Sequence, residues 1–201
     1  GNYGLLIARN NEIICEKYVN NTKDTLFRIM SLSKPITAMA IYLLAQDNKL
    51  NLLDTLDKYD INVPHNDKIT IKHLLNHTSG IYDFSSKLYF EQKPKELFTS
   101  ILENHETSFV NFDTVITEIN KNVPQHEPQS DPDNYDFSHY NNTGYDILGY
   151  IVYLVSGIET NVFIKENIFE KLEMEQVDFH CNNNSMESVP YLNDDIGIKE
   201  Q

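Results

Sequence analysis

The sequence predicts an α+β protein, in which an antiparallel sheet is flanked by helices and joined to an all-helical region. Three observations carry the prediction. The chain opens on two short apolar segments separated by Asn10-Asn11, apolar segments of helical periodicity follow, and no internal repeat or obvious linker divides the 201 residues. With 40% hydrophobic and 23% charged residues, that length supports one sizeable core rather than two. The chain is therefore read as one domain over residues 1–201, with a hairpin at 4–18 belonging to the sheet and a mainly helical region at 31–180.

In GLLIARNNEIICEKYV the two asparagines tolerate the positive φ of a tight turn, which predicts a hairpin. Leu5, Ile7, Ile13 and Cys15 read as one apolar face that needs further strands, because an isolated two-stranded hairpin is marginal in water. From Pro35 to about Asp47, the residues Ile36, Ala38, Met39, Ala40, Ile41, Leu43, Leu44 and Ala45 go round most of a helix, and such a helix is expected to be buried. TIKHLLNHTSG predicts a short helix with Ile71, Leu74 and Leu75 on one face and a turn ending at Gly80. KPKELFTSILENH and FDTVITEINK read as surface helices, and the Pro-rich, acidic stretch 124–135 as a loop. NNTGYDILGYIVYLVSG predicts a largely apolar helix closed by Gly157, and TNVFIKENIFEKL another, capped by Thr160.

A net charge of −14 argues against nucleic acid as a partner, since that binding depends on Lys and Arg neutralising phosphates. The acidity reads as a solubility feature. The longest uncharged apolar run, 35–46, falls short of the roughly 20 residues that span a bilayer, and no basic, signal-like segment opens the chain, so no transmembrane segment or targeting signal is expected in it. Cys15 and Cys181 form no CxxC pair, and the compartment stays open.

Chemistry concentrates in FRIMSLSKPITAMAIYLLAQ. Pro35 lacks an N–H and fits a helix only in its first turn, which puts the helix start near Ser31 or Leu32. Ser31 then stands at the positive end of the helix dipole, with Lys34 three residues on and within reach of its hydroxyl. A nearby base, backbone N–H groups and a rigid support are what a nucleophilic serine needs. Ser33 has no lysine at that spacing and is the weaker candidate. Read blandly, Ser31 is an N-cap and Lys34 a solvated first-turn residue.

FRIMSLSKPITAMAIYLL, LNLLDTLDKY, ITIKHLLNHTSGI, HYNNTGYDILGYIVYLVSG and IFEKLEMEQVDF occur in this order, and their succession over residues 4 to 180 resembles the serine β-lactamase-like family. That family includes class C β-lactamases, D-alanyl-D-alanine carboxypeptidases and related esterases. The resemblance implies the β-lactamase/transpeptidase-like α/β sandwich and a serine hydrolase that forms an acyl-enzyme on an amide, ester or β-lactam carbonyl. It implies Ser31 as the acylated nucleophile, with its backbone N–H as an oxyanion-hole donor, and Lys34 as its proton-transfer partner. Tyr140 and Asn142 match the family's Tyr-x-Asn motif, which implies a tyrosine acting as general base and acid and an asparagine orienting lysine and substrate. A phenol of pKa near 10 becomes a usable base if an adjacent ammonium favours the phenolate; a shift of about three units takes roughly 4 kcal/mol. The bland alternative makes Tyr140 a loop aromatic packed on the core and Asn142 a helix N-cap. HTSG, 77–80, resembles a structural turn of the family. The implied partner is a small-molecule or peptide acyl donor, no cofactor is implied, and the family's usual setting is periplasmic or extracellular.

His73 and His77 have an i, i+4 spacing, but HLLNH lacks the glutamate of HExxH, and Asp131, Asp133 and Asp136 lack the glycine and terminal glutamate of a calcium loop, so no metal is expected. Metal-dependent hydrolysis stands only as a foil. The family's third motif, Lys-Thr-Gly or His-x-Gly on a C-terminal strand, does not occur after Tyr140. Together with the shortage of strands, this predicts a chain lacking about a hundred residues relative to the family. A sequence that stops early, a second polypeptide that completes the sheet, or a degenerate, catalytically silent scaffold would each account for it.

Overall fold

The computed structural model describes residues 2–27, 29–84, 112–129, 131–134, 139–175, 177 and 179. The chain divides into two compact units, one built on the N-terminal hairpin within Gly1–Ser31 and the other spanning Leu32–Glu173. Helices and a small antiparallel sheet together make the mixed α+β class that the sequence predicts.

In the first unit β1 (Tyr3–Arg9) pairs antiparallel with β2 (Glu12–Val19). Asn10 and Asn11 take φ of 52° and 64°, the left-handed pair that a two-residue hairpin turn requires and that asparagine tolerates. The expected single face is corrected by the register. Leu5 and Ile7 oppose Lys17 and Cys15, but a register shift between Ile7 and Ala8 puts Ile13 opposite Ala8. One extra residue in a strand flips the residues beyond it to the other face. Leu5, Leu6, Ile7, Ile13 and Ile14 are all exposed, so both faces of the hairpin carry open apolar side chains.

The second unit is helical. α1 (Ser33–Gln46) follows a 3-10 turn at Met30–Leu32, and Pro35 is its third residue, inside the first turn where its missing N–H costs no bond. α2 (Ile71–Leu75), α3 (Phe112–Asn120), α4 (Thr143–Ser156) and α5 (Thr160–Ile164) follow, and a π-helical turn, Lys165–Phe169, continues α5. α1, α2 and α5 all pack on α4. Ala40, Ile41 and Leu44 of α1, Ile147, Leu148, Ile151 and Val152 of α4, and Ile71 and Leu74 of α2 are buried. The ring of Phe112 stacks on Tyr150 at 3.6 Å between centroids.

Two helical expectations need correction. α1 is not buried all round, since Met39 and Tyr42 are 45% and 53% exposed. Composition counts apolar residues, whereas burial depends on which of them find a neighbour, and α1 packs with one stripe. Thr160 does not cap its helix: it is the first helical residue, after the N-cap position Glu159, and its hydroxyl donates to the Gly149 carbonyl of α4 at 2.6 Å. Gly157 closes α4 as expected, at φ 72° with its N–H on the Tyr153 carbonyl. FDTVITEINK forms α3, an amphipathic helix with Val115 and Ile119 buried. KPKELFTSILENH lies outside the described residues.

The described part of 124–134 is irregular, as predicted, and is tied to the segment from Lys72 to Gly80. Gln125 donates its N–H to the Gly80 carbonyl at 2.7 Å, Gln129 to that of Thr78 at 3.0 Å, and Lys72 meets Asp133 at 2.6 Å. At Gly80, φ is 73° and a Cβ would run directly onto the His126 carbonyl. At Gly149, inside α4, a Cβ would meet only Thr160 Cγ2, at an ordinary 3.9 Å. The two glycines should respond oppositely in urea unfolding. Gly149→Ala stabilises by about 0.5–1 kcal/mol through helix propensity, whereas Gly80→Ala destabilises by more than about 1 kcal/mol.

Candidate active site

Ser31 is exposed and is the last residue of the hairpin unit, in the turn Met30–Leu32. Met30, just ahead of it, has φ 48°, a left-handed conformation uncommon for a non-glycine residue. Lys34, Tyr140 and Asn142 all belong to the second unit, and there the structure brings them together. Lys34 is the second residue of α1, and Asn142 stands at the start of α4.

Lys34 Nζ donates to Asn142 Oδ1 at 2.6 Å. The same ammonium lies 4.9 Å from the ring centroid of Tyr140 and 5.5 Å from that of Tyr145. Both are within cation–π range, about 6 Å. The amide oxygen and two aromatic rings thus surround the Lys34 ammonium at one end of α1.

The start of α4 is held by a polar network that corrects the capping expectation. Asn142 is at the N-cap position with φ −79° and ψ −40°, and its side chain makes no cap bond; its oxygen is turned to Lys34 instead. Capping falls to its neighbours. Asn141 Oδ1 accepts the Gly144 N–H at 2.8 Å, and buried Asp83 accepts the N–H groups of Asn142 and Thr143, each at 3.2 Å, and the Thr143 hydroxyl at 3.1 Å. A carboxylate is favoured there by the helix dipole. Asn141 Nδ2 donates to the Ile81 carbonyl at 2.7 Å and Gln125 Oε1 at 3.2 Å, which uses both ends of this buried amide. Of the two adjacent asparagines, one locks the backbone and the other faces the lysine. The Tyr-x-Asn match singled out Asn142 for the lysine, but the sequence offered no signal for the capping role of Asn141, and none for Asp83, some sixty positions away.

His77 follows α2 in a position usually given to glycine. The Thr78 N–H bonds to the His73 carbonyl and the His77 N–H to that of Leu74, the paired closure of a Schellman turn, and His77 has the left-handed φ of 60°. This aims its ring at the site. Ring centroids are 4.5 Å from Tyr140 and 5.2 Å from Tyr145. Burial pushes the ring below its ordinary pKa of 6.5; the Lys34 charge acts the same way, while the Asn141 carbonyl and Asp83 oppose it. Nδ1 lies 3.0 Å from the Asn141 carbonyl oxygen and 3.1 Å from the Asn141 nitrogen, and the tautomer sets which of the two it pairs with. Burial pushes the Tyr145 phenol up, with Tyr140 and Tyr42 adding, and its hydroxyl donates to the Leu75 carbonyl at 3.0 Å.

The other candidates have structural partners. His73 Nδ1 meets Thr70 in a capping box and Nε2 meets the Gln129 carbonyl at 2.8 Å. Asp133 bonds Lys72 and Asn76, Asp131 accepts the Asp133 N–H, and Asp136 lies outside the described residues. Cys15 is an exposed free thiol, and Cys181 lies outside the described residues. No single helix among the described residues is long and apolar enough to cross a membrane.

A lysine at the start of one helix, hydrogen-bonded to the asparagine of a Tyr-x-Asn sequence at the start of a second, inside an α+β fold, is the pattern of the β-lactamase and penicillin-binding class of proteins. The family model described as Beta-lactamase matches residues 3–192, and the chain belongs to that family. It is 34% identical over 147 residues to penicillin-binding protein 4* of Bacillus subtilis, covering 73% of this chain and 29% of that protein. It is 27% identical over 197 residues to a protein named putative penicillin-binding protein PbpX from the same organism, covering 92% and 42%. Among solved structures, D-amino acid amidase from Ochrobactrum anthropi matches with a TM-score of 0.59 and 27% identity over 77% of this chain and 38% of that one. The octameric penicillin-binding protein homologue from Pyrococcus abyssi matches in fold, with a TM-score of 0.69 and 24% identity over 92% and 42%. The chain thus spans between 29% and 42% of the length of these proteins.

Two testable outcomes arise from the network. Asp83→Ala leaves buried donors unpaired and lowers the unfolding free energy by about 1–3 kcal/mol, read from the urea midpoint. The pH effect of His77 has a definite sign: a folded pKa below 6.5 means that the unfolded chain takes up the proton first as pH falls. Its contribution to stability is full above pH 6.5 and declines as pH falls toward the folded pKa. His77→Asn, which tolerates the left-handed backbone, removes that part of the acid-side slope in thermal melts across pH.

Proposed function

We propose that the protein is a serine hydrolase that acts through an acyl-enzyme at Ser31 on the carbonyl of a small-molecule or peptide amide, ester or β-lactam. The observation that carries this reading is the 2.6 Å bond from Lys34 Nζ to Asn142 Oδ1 beside the Tyr140 ring. It sets the lysine of the SxxK sequence beside the asparagine and tyrosine of the Tyr-x-Asn sequence, which supports the reading. The relatives support a hydrolase of this kind, since they include a D-amino acid amidase and penicillin-binding proteins.

In this mechanism the phenolate oxygen of Tyr140 takes the Ser31 hydroxyl proton as Oγ attacks the acyl carbon. The Ser31 N–H helps to hold the oxyanion. The bond to the leaving amine or alkoxide then breaks, and that group receives the proton through Tyr140 and Lys34. Water, deprotonated by the same pair, attacks the ester carbonyl and restores the serine. Asn142 orients the ammonium and presents its remaining amide group to the substrate.

Incubation of the full-length protein with a fluorophosphonate or a labelled penicillin should give a covalent adduct on the peptide that contains Ser31, by mass spectrometry. Ser31→Ala abolishes it, and Tyr140→Phe slows it by about a hundredfold or more. No adduct on the folded protein would sink the hydrolase reading. An adduct that never turns over would instead favour a silent scaffold that binds acyl donors.

A further inference from the structure

We propose that His77 and Tyr145 are positioning residues of this site: their rings form an aromatic bracket that holds the Tyr140 ring and the Lys34 ammonium in the arrangement acyl transfer uses. The inference rests on the serine-hydrolase reading and extends it to two residues outside the SxxK and Tyr-x-Asn sequences.

Three observations converge on the bracket. Lys34 Nζ lies over two aromatic rings, Tyr140 at 4.9 Å and Tyr145 at 5.5 Å, so the second tyrosine is a wall of the same cation pocket. The His77 ring packs against both tyrosines, tilted by 33° and 36°. Each member is also anchored from outside the pocket: Tyr145 by its hydroxyl on the Leu75 carbonyl, and His77 by Nδ1 on Asn141 and by the Schellman turn that ends α2.

The backbone supplies an independent reason to assign His77 a task. Glycine adopts the left-handed C′ position of a Schellman turn without a Cβ penalty, and a histidine there costs on the order of 1 kcal/mol. Helix closure alone would therefore favour glycine at 77. What the histidine adds is a ring, kept neutral by burial, that can lie against two tyrosines without placing a second cation beside Lys34. The charged and titratable groups facing it are Lys34 on α1, Asp83 ahead of α4, and Tyr140 and Tyr145. Tyr145 is suited to a wall rather than to a base, since burial keeps it protonated and its hydroxyl is committed to a carbonyl.

The test uses two readouts on the full-length protein. The first is NMR of selectively labelled lysine side chains, with Lys34 assigned by Lys34→Arg. Ring currents should displace the Lys34 ε resonances in the wild type, and Tyr145→Leu and His77→Gly should return them toward those of a solvated lysine. The second is the saturation kinetics of fluorophosphonate labelling at Ser31. Tyr145→Leu should lower the maximal rate by about five- to thirtyfold, the equivalent of one desolvated cation–π contact, with the half-saturating concentration little changed. Tyr145→Phe, which keeps the ring and loses the hydroxyl, should recover the larger part of the lost rate and of the Lys34 displacement. His77→Gly should lower the rate although its backbone suits the turn, so a folded His77→Gly protein that labels at the wild-type rate overturns the bracket. Lys34 resonances indifferent to Tyr145→Leu overturn it as well. Lys34 resonances that respond in a protein whose Ser31 never labels would support the bracket and defeat the hydrolase reading, so the two failures are distinguishable.

Discussion

The arrangement depends on one contact, the Lys34 ammonium on the Asn142 amide oxygen at 2.6 Å. The lysine leaves the first turn of α1 and the asparagine stands at the first turn of α4, so the bond exists only if two helix ends from opposite halves of the sequence are held in register. A charge-assisted hydrogen bond is short and tolerates little displacement. The apolar seam supplies the rigidity, with Ala40, Ile41 and Leu44 of α1 and Ile147, Leu148, Ile151 and Val152 of α4 all buried, because close-packed side chains resist sliding. The core thus acts on the candidate site directly: it sets a distance between two polar atoms at its rim.

Packing fixes the helices but does not by itself aim Asn142. An asparagine at an N-cap position ordinarily turns its oxygen back to its own helix. Here Asp83 and Asn141 satisfy the first amides of α4, which leaves the Asn142 oxygen available to the lysine. Burying a carboxylate and an amide is costly unless every group is paired. The Thr143 hydroxyl, three backbone amides, the Ile81 carbonyl and Gln125 together provide the pairs. Three segments that are distant in sequence, around residues 81–83, 125 and 141–144, therefore meet at one helix end, and the polar network is the price of an outward-facing asparagine.

What the sequence revealed and what it hid divide along range. Local chemistry was legible: Asn10-Asn11 as the hairpin turn, Pro35 inside a first turn, Gly157 as a helix stop, and Lys34, Tyr140 and Asn142 as candidates, three residues that meet in space. Where a neighbouring segment decides, local rules failed. The composition of α1 could not say which of its apolar residues α4 would cover, and Thr160 turned from its own helix to the Gly149 carbonyl. A register shift moved Ile13 off the face of Leu5 and Ile7. Asp83 and Tyr145 carried no signal, since each acquires meaning only from a partner some sixty or a hundred positions away.

The two tyrosines beside one ammonium show how fold geometry can separate roles that composition leaves equivalent. Both rings lie within cation–π range of Lys34 and both touch His77, so proximity to charge does not distinguish them. Their anchoring does. Tyr145 is the third residue of α4, and its hydroxyl reaches the Leu75 carbonyl at the end of α2, a backbone acceptor left over by helix termination. A phenol that donates to a carbonyl in a buried setting is stabilised in its neutral form. Tyr140 precedes the helix, and its ring meets both the His77 ring and the ammonium. Under the proposed mechanism the base is then the tyrosine outside the helix, while the one inside it, tied to α2, serves as the wall against which base and lysine are set.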